Sequence, residues 1–529
     1  MYGINESFEA AGGEALVACL PDLVERVFKR DGALQAVLGL DHRPEQARMA
    51  QRTIAAWMED QALFFEAGTG VGKSLGYLVP GLMRAIASNR ALVVSTHTIA
   101  LQEQIENKDL AICRRLFSTV PALRGFADFR HALLLGKNNY LCGTRLRQAL
   151  EARQELFPSG EQKELERIAA WAAQTQSGLR HELSPEPLPE VWEWIQADGH
   201  ACNSRNCNPR TCFFRKAREA IREANLIIVN HSLFFSLLAA GHFPGQQSAG
   251  ILFPKDFVVL DEAHCIPAVA TEHFGLRLSG LGLKRQLMKL YQAGRRKHRG
   301  LLTRVGDPGL RNAVLALTEA TDIVFGAIKD TFLAENSLFR LQAPDWFDNA
   351  LDLPLRDLIH GLSKCESRIP EGPQRDELEG LRLSLQAYRE GLNEMAQLAD
   401  PKGVYWLESA GVKGTLVHLR SAPLDVAPVL RARLFKQETG ILLTSATLAE
   451  GPDMDSFARK VGAPEADREQ VLSPFDYPLQ MEILVHAKAP DIRDGQLDIA
   501  FLSNEILRHS VAWEGGTLVL FTSYRDLNE

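Results

Sequence analysis

Eight residues constrain this chain more than any others: Ala67-Gly68-Thr69-Gly70-Val71-Gly72-Lys73-Ser74. They lie between the apolar run Ala62-Leu63-Phe64-Phe65 and a helical stretch from Leu75. Strand, glycine-rich turn and helix start in that order are the layout of a phosphate-binding loop. The glycines let the backbone curl until successive N–H groups face one point. The helix N-terminus adds partial positive charge there, Lys73 adds a full one, and the Ser74 hydroxyl can ligate Mg²⁺. The first position carries Ala67 where the pattern has glycine, a place a small residue can fill. The chain is expected to bind a nucleoside triphosphate on an α/β fold with a parallel sheet.

A second segment points the same way. Phe257-Val258-Val259-Leu260 reads as a buried parallel strand, with Asp261-Glu262-Ala263-His264 at its carboxyl end. Ligands of open α/β sheets collect at strand carboxyl ends, so both carboxylates are expected beside the phosphate loop. Asp261 would hold Mg²⁺, and Glu262 would orient and deprotonate the attacking water. His264 is close enough to report the state of the γ-phosphate to a neighbouring loop.

Composition sets the remaining bounds. A length of 529 residues, 46% of them apolar, suffices for three or four compact units. The net charge of −7 gives no global attraction to nucleic acid, so such binding must use a local patch or channel. Met1 to Leu20 has no basic region followed by an apolar core. Apolar runs such as Leu226-Ile227-Ile228-Val229 fall far below the roughly 18 residues that span a bilayer. A cytoplasmic protein without membrane association is expected.

Four of the eight cysteines form a set: Cys142, then Cys202, Cys207 and Cys212 in two x₄ steps. In a reducing compartment this reads as a metal site before it reads as disulfides. Four thiolates suit zinc or an iron–sulfur cluster. Zinc ribbons favour the tight C-x₂-C knuckle, which is absent, whereas a [4Fe–4S] cube tolerates looser spacing. Unligated thiols are the third reading. Cys19, Cys113, Cys265 and Cys365 lack partners at useful spacing and read as buried small hydrophobes.

Strand and helix signals alternate from Ala62. Ala91-Leu92-Val93-Val94 is the next strand, and its exit Ser95-Thr96-His97-Thr98 suits either phosphate contacts or a capped helix start. The cysteine-bearing stretch interrupts this pattern, which resumes at Leu226 and Phe257. From about Gly275 to Pro401 the sequence turns helical and charged, and Ile441-Leu442-Leu443 then leads into Thr444-Ser445-Ala446-Thr447. Expected are a motor domain in three parts (1–111, 215–274 and 402–472), a cysteine domain (112–214), a helical insertion (275–401) and a last segment (473–529) that only a family resemblance makes the start of a second motor domain. Lys284, Arg285, Lys289, Arg295, Arg296, Lys297 and Arg299 are the densest basic stretch. It reads as a path for a nucleic-acid backbone or as a solvated helix face.

Taken together and in order, these segments resemble the XPD-like helicases of superfamily 2, and within them the bacterial DinG/YoaA branch. The resemblance rests on the phosphate loop, Asn139-Tyr140-Leu141-Cys142, C-x₄-C-x₄-C, Asn230-His231-Ser232-Leu233-Phe234, the DEAH segment and Thr444-Ser445-Ala446-Thr447-Leu448. Arg43-Pro44-Glu45-Gln46-Ala47-Arg48-Met49 looks like the family's adenine-reading motif, with Gln46 on the base edge and Arg43 framing it. Ser473-Pro474-Phe475-Asp476 looks like the start of the second motor domain.

The resemblance implies two RecA-like domains, with a [4Fe–4S] domain and a helical arch inserted in the first. DNA would thread between the two insertions. It further implies an ATP- and Mg²⁺-dependent monomer that moves 5′ to 3′ on single-stranded DNA and opens forked or tailed duplexes. Such an enzyme would act in repair or replication, near the nucleoid and with a protein partner from those processes. Thr444, Ser445 and Thr447 would couple hydrolysis to strand movement. Lys137 stands where many relatives carry Arg, which keeps the charge and loses the bidentate fork.

No Gln-x-x-Gly-Arg segment occurs, although the family draws its arginine fingers from such a motif. The expectation is a C-terminally incomplete chain with little unwinding activity of its own. The competing reading is a non-unwinding module that binds single-stranded DNA or senses redox state and retains a nucleotide site. A zinc protein with a vestigial phosphate loop is a third.

Overall fold

The computed structural model describes the chain except residues 1–12, 152, 154–158, 198–210, 241–255, 295–297, 299, 306, 411–415, 437–438, 450–452, 486–498, 513–515, 522–526 and 528–529. The chain divides into two units, Met1–Pro474 and Phe475–Glu529.

The larger unit is organised by a seven-stranded sheet. Its strands are β1 (Ala62–Ala67), β2 (Leu92–Thr96), β3 (His131–Leu133), β4 (Leu226–Asn230), β5 (Phe257–Asp261), β10 (Ile441–Ser445) and β11 (Asp467–Val471). They run in the order β11-β1-β10-β5-β2-β4-β3, and every pairing is parallel. The strands read as continuous apolar runs because both faces are covered. Leu63, Phe65, Leu92, Val94, Val259 and Leu442 face one core, while Phe64, Val93, Val258, Leu260 and Leu443 face another. This is a parallel α/β sheet covered on both faces, the fold class expected from the sequence.

Register decides what meets at its carboxyl edge. Phe65 pairs with Thr444 and Thr444 with Asp261, so β1, β10 and β5 end level with one another. The helix Pro44–Met58 starts with proline at its first turn, where no N–H is needed, and buries Met49, Ala50, Ile54 and Trp57 against the sheet. Trp57 is fully buried and stacks on Phe257 at 5.4 Å between centroids. The chain passes so close at Gly440 that an added Cβ would sit 2.3 Å from Trp57 Cδ1. Trp57→Ala is expected to destabilise this unit by about 3–5 kcal/mol, through lost transfer energy and the cavity left behind. An unchanged thermal midpoint would show that the site collapses around the missing ring.

Two boundaries differ from those the sequence suggests. The cysteine domain was expected from residue 112, but Cys113, Leu116, Phe117, Phe126 and Phe129 pack in the motor core and β3 pairs with β4. A three-residue strand is too short to show a period. The stretch expected to be purely helical carries a second, antiparallel sheet. Its strands are β6 (Arg277–Ser279), β7 (Leu338–Leu341), β8 (Gly403–Ala410) and β9 (Leu416–Pro423), in the order β6-β9-β8-β7. Residues 403–410 and 416–423, expected in the motor domain, therefore join the insertion. Tyr405, Leu407, Val417 and Leu419 pack there with helices Pro308–Phe332, Asp352–Glu366 and Pro373–Gln397. The alternation in β8 and β9 was legible, but it followed a long helical stretch.

The edge strand β11 is the other element absent from the sequence reading. Its residues Asp-Arg-Glu-Gln-Val are mostly polar, and backbone pairing with β1 places it. Ion pairs of Arg48 with Glu469 and Arg52 with Asp467 fasten it to the neighbouring helix.

In the smaller unit lies the apolar run Leu518-Val519-Leu520-Phe521, whose composition reads as a buried strand. It forms no ladder, and Leu518 and Leu520 are exposed. A strand needs a partner edge, and no strand lies in this unit among the described residues. No described helix is long and apolar enough to cross a membrane.

Candidate functional site

The phosphate loop leaves β1 at Ala67 and enters the helix Lys73–Ser88. Gly70 and Gly72 take φ values of 86° and 84°, the left-handed region that favours glycine. The loop is packed on both sides. On one side an added Cβ at Gly68 would lie 2.5 Å from the Ser473 nitrogen, and the Ser473 hydroxyl donates to the Thr69 carbonyl at 2.7 Å. On the other, Gln46 Nε2 donates to the Gly72 carbonyl at 2.8 Å and Arg43 donates to the Gly70 carbonyl. Arg43 and Gln46, 26 or more residues away in sequence, thus stand at the loop.

Across the loop, Lys73 Nζ lies 3.7 Å from Glu262 Oε1. Glu262 has a φ of 54°, a left-handed conformation that turns it off the end of β5. Its other carboxylate oxygen accepts the Ser445 hydroxyl at 3.2 Å, and His264 Nδ1 lies 2.8 Å from the same hydroxyl. The serine's one proton goes to Glu262, so His264 donates to Ser445. The loop after β10 is therefore joined to both Glu262 and His264, through Ser445.

Asp261 is 8% exposed. Burial pushes its carboxyl up to about 6, against the pull of Lys73. One oxygen accepts the Tyr77 hydroxyl at 3.0 Å, the other the Glu262 N–H at 2.9 Å. Burial raises the Tyr77 phenol well above its ordinary value, so it remains a donor. A buried carboxyl short of positive charge, beside the Ser74 helix start, has the donor chemistry that Mg²⁺ requires. Asp109, in a π-helical turn, is raised by burial and opposed by a hydrogen bond with the Ser74 hydroxyl.

Behind Asp261, His231 spans three strands. Its Nε2 donates to the Asp261 carbonyl at 2.8 Å, and Nδ1 receives the Ser95 hydroxyl at 2.7 Å. Burial lowers its pKa to about 4, which keeps it neutral. Thr98, after Ser95-Thr96-His97, accepts the Leu101 N–H and caps a helix start, the second of the two readings open for this exit.

Of the cysteine set, Cys202 and Cys207 lie outside the described residues. Beside the other two, Cys142 and Cys212, the rings of Tyr140 and Phe214 pack edge-on at 5.5 Å between centroids. Each ring is two residues from its cysteine. The Cys142 N–H bonds the Ile195 carbonyl at 2.8 Å, and Cys212 begins the helix Phe213–Ile221. Neither thiol is in a disulfide, and thiolates are the soft donors that iron or zinc takes. Lys137 lies over the Phe214 ring at 5.5 Å. Cys113 and Cys365 are buried as expected, Cys265 is half-buried, and Cys19 is exposed.

The basic stretch is partly neutralised. Lys284 pairs with Asp322 at 2.8 Å and Arg285 with Glu193 at 3.2 Å. Residues 295–297 and 299 lie outside the described residues.

Sequence reading missed Tyr77, Asp109 and Glu66. Tyr77 and Asp109 carry no motif signal. Glu66, a carboxylate between Phe65 and Ala67 in an apolar strand, was visible as an anomaly.

A phosphate loop, an acidic strand end and a serine-bearing third strand exit, level on one parallel sheet, define a P-loop nucleoside-triphosphatase motor. No protein-family model matches the chain. The ATP-dependent helicase DinG of Mycobacterium tuberculosis is 30% identical over 511 residues, covering 93% of this chain and 72% of the relative. The ATP-dependent DNA helicase YoaA of Haemophilus influenzae is 28% identical, covering 95% and 74%. A solved XPD helicase is similar at 14% identity and a TM-score of 0.46, covering 92% of this chain and 74% of its own. The chain belongs to the DinG family of ATP-dependent helicases.

Proposed function

We propose that this chain is an ATP-dependent DNA helicase that moves 5′ to 3′ on single-stranded DNA in the cytoplasm and acts in repair or replication. The observation that carries the reading is the contact network from Lys73 through Glu262 and Ser445 to His264, which joins three strand exits at one point. Lys73 pairs with the β- and γ-phosphates, and the backbone N–H groups from Gly68 to Lys73 cradle them. Ser74 and Asp261 would hold Mg²⁺, which would add charge neutralisation to the phosphates. Glu262 positions the attacking water and takes its proton. Gln46 and Arg43 leave the loop carbonyls to frame adenine.

His264 and Ser445 carry the state of the site into the loop after β10. Cys142, Cys202, Cys207 and Cys212 would hold a [4Fe–4S] cluster, which would tie the cysteine domain together. The substrates are single strands and forked or tailed duplexes. The protein works as a monomer, with a replication or repair partner.

Lys73→Ala is expected to weaken binding of a fluorescent ATP analogue by about 10- to 100-fold, the loss of one charge-assisted contact of about 1.5–3 kcal/mol. It should also abolish hydrolysis stimulated by single-stranded DNA. Undiminished binding would remove the nucleotide site from this loop. Polarity is read from tailed duplexes, and preferential opening of a 3′-tailed over a 5′-tailed substrate would reverse the proposed direction.

A further inference from the structure

Glu66 is a carboxylate inside the central strand, one residue before the phosphate loop, and is 8% exposed. Burying such a group is costly unless its oxygens are fully hydrogen-bonded. Here they are. One oxygen accepts the backbone N–H groups of Leu448 and Ala449, the latter at 2.5 Å, and the other accepts Gln470 Nε2 at 2.6 Å. Every partner is a donor, and none among the described residues is a cation.

Those partners have a direction. Leu448 and Ala449 follow Ser445 by three and four residues in the loop after β10, and Ser445 lies opposite Glu66 in the β1–β10 register. The Ser445 hydroxyl in turn donates to Glu262 at 3.2 Å. The loop is thus held at one end by the β10 ladder and at the other by Glu66, with the hydroxyl that meets Glu262 between them. Gln470 lies on β11, three residues before Ser473, which packs on Gly68.

We propose that Glu66 is a positioning residue for ATP hydrolysis: it clamps the Leu448–Ala449 turn so that Ser445 holds Glu262 in line. This rests on the reading of Glu262 given above. Glu66 touches no nucleotide in this scheme and acts through the loop alone. The clamp needs acceptor oxygens more than charge. A glutamine keeps one oxygen for the two N–H groups, and its amide can donate to Gln470 once that side chain is rotated. An alanine leaves two buried N–H groups without an acceptor.

The test compares Glu66→Gln, Glu66→Ala and the milder Glu66→Asp, whose carboxylate is drawn back by one methylene. Single-turnover ATP hydrolysis, ATP affinity and amide hydrogen exchange of residues 445–449 are measured on the full chain. Glu66→Ala and Glu66→Asp should slow hydrolysis by about 10- to 100-fold, the scale of a misplacement near 1 Å. ATP affinity should hold, and the Leu448 and Ala449 amides should lose protection. Glu66→Gln should stay within a few-fold of the parent in all three.

Adding Glu66→Asp to Ser445→Ala should slow the reaction no further, because both act through one contact. If Glu66→Ala does not fold, Glu66→Asp carries the comparison. Parent-like hydrolysis in Glu66→Asp, fully additive losses with Ser445→Ala, or equal losses of ATP affinity and turnover would overturn the proposal. Failure of the nucleotide site itself shows separately, as undiminished ATP binding by Lys73→Ala.

Discussion

Replacing Glu262 by Gln is expected to stop hydrolysis while ATP remains bound. The side chain sits with one oxygen 3.7 Å from Lys73 Nζ and the other on the Ser445 hydroxyl. Glutamine has the same shape and can still accept from Ser445, so the loop contact survives. It cannot take a proton from water at neutral pH. Removal of a general base lowers rates by about 10²- to 10⁴-fold. Binding should not fall, because Lys73 and the loop N–H groups are untouched and one negative charge near the phosphates is gone. Single-turnover hydrolysis and equilibrium nucleotide binding on the same preparation separate the two effects. Hydrolysis at the parent rate would move the base to another residue.

The second large effect concerns iron. Cys142→Ser is expected to empty the proposed cluster, since a hydroxyl is a poor replacement for a soft thiolate ligand. Anaerobically purified parent protein should be brown and contain iron, and the variant should be colourless with iron near zero. The variant should still bind ATP, because the phosphate loop packs through Ala67 and Val71 into a core that Cys142 does not join. Cys365→Ser is the control, a thiol buried in the core of the second sheet that should keep its iron. Stoichiometric zinc in place of iron in the parent would replace the cluster with a zinc site.

The motor sheet was legible because its strands are buried on both faces. Four- and five-residue apolar runs such as Phe257 to Leu260 admit few other readings when a phosphate loop or an acidic pair follows. Arg43 and Gln46 were found only through resemblance, since nothing local says that a helix start will meet a loop 26 residues on. The second sheet was missed although Tyr405, Leu407, Val417 and Leu419 alternate, because its partners β6 and β7 are three and four residues long. β11 was hidden for another reason: its Asp-Arg-Glu-Gln residues bury little, and only the ladder to β1 makes them a strand.

By itself the sequence determined the chemistry at each strand end: phosphate-binding N–H groups and Lys73 after β1, two carboxylates after β5, hydroxyls after β10. These are properties of side chains and of short backbone turns, which local residue order specifies. The tertiary structure decided which of them touch. Parallel register brings Phe65, Thr444 and Asp261 level, and only then can one serine hydroxyl join Glu262 to His264. It also gave Glu66 its partners, 382 and more residues away, by closing the loop after β10 over the end of β1. Contacts of that separation depend on which strands lie side by side, and strand order is set by how the whole core packs.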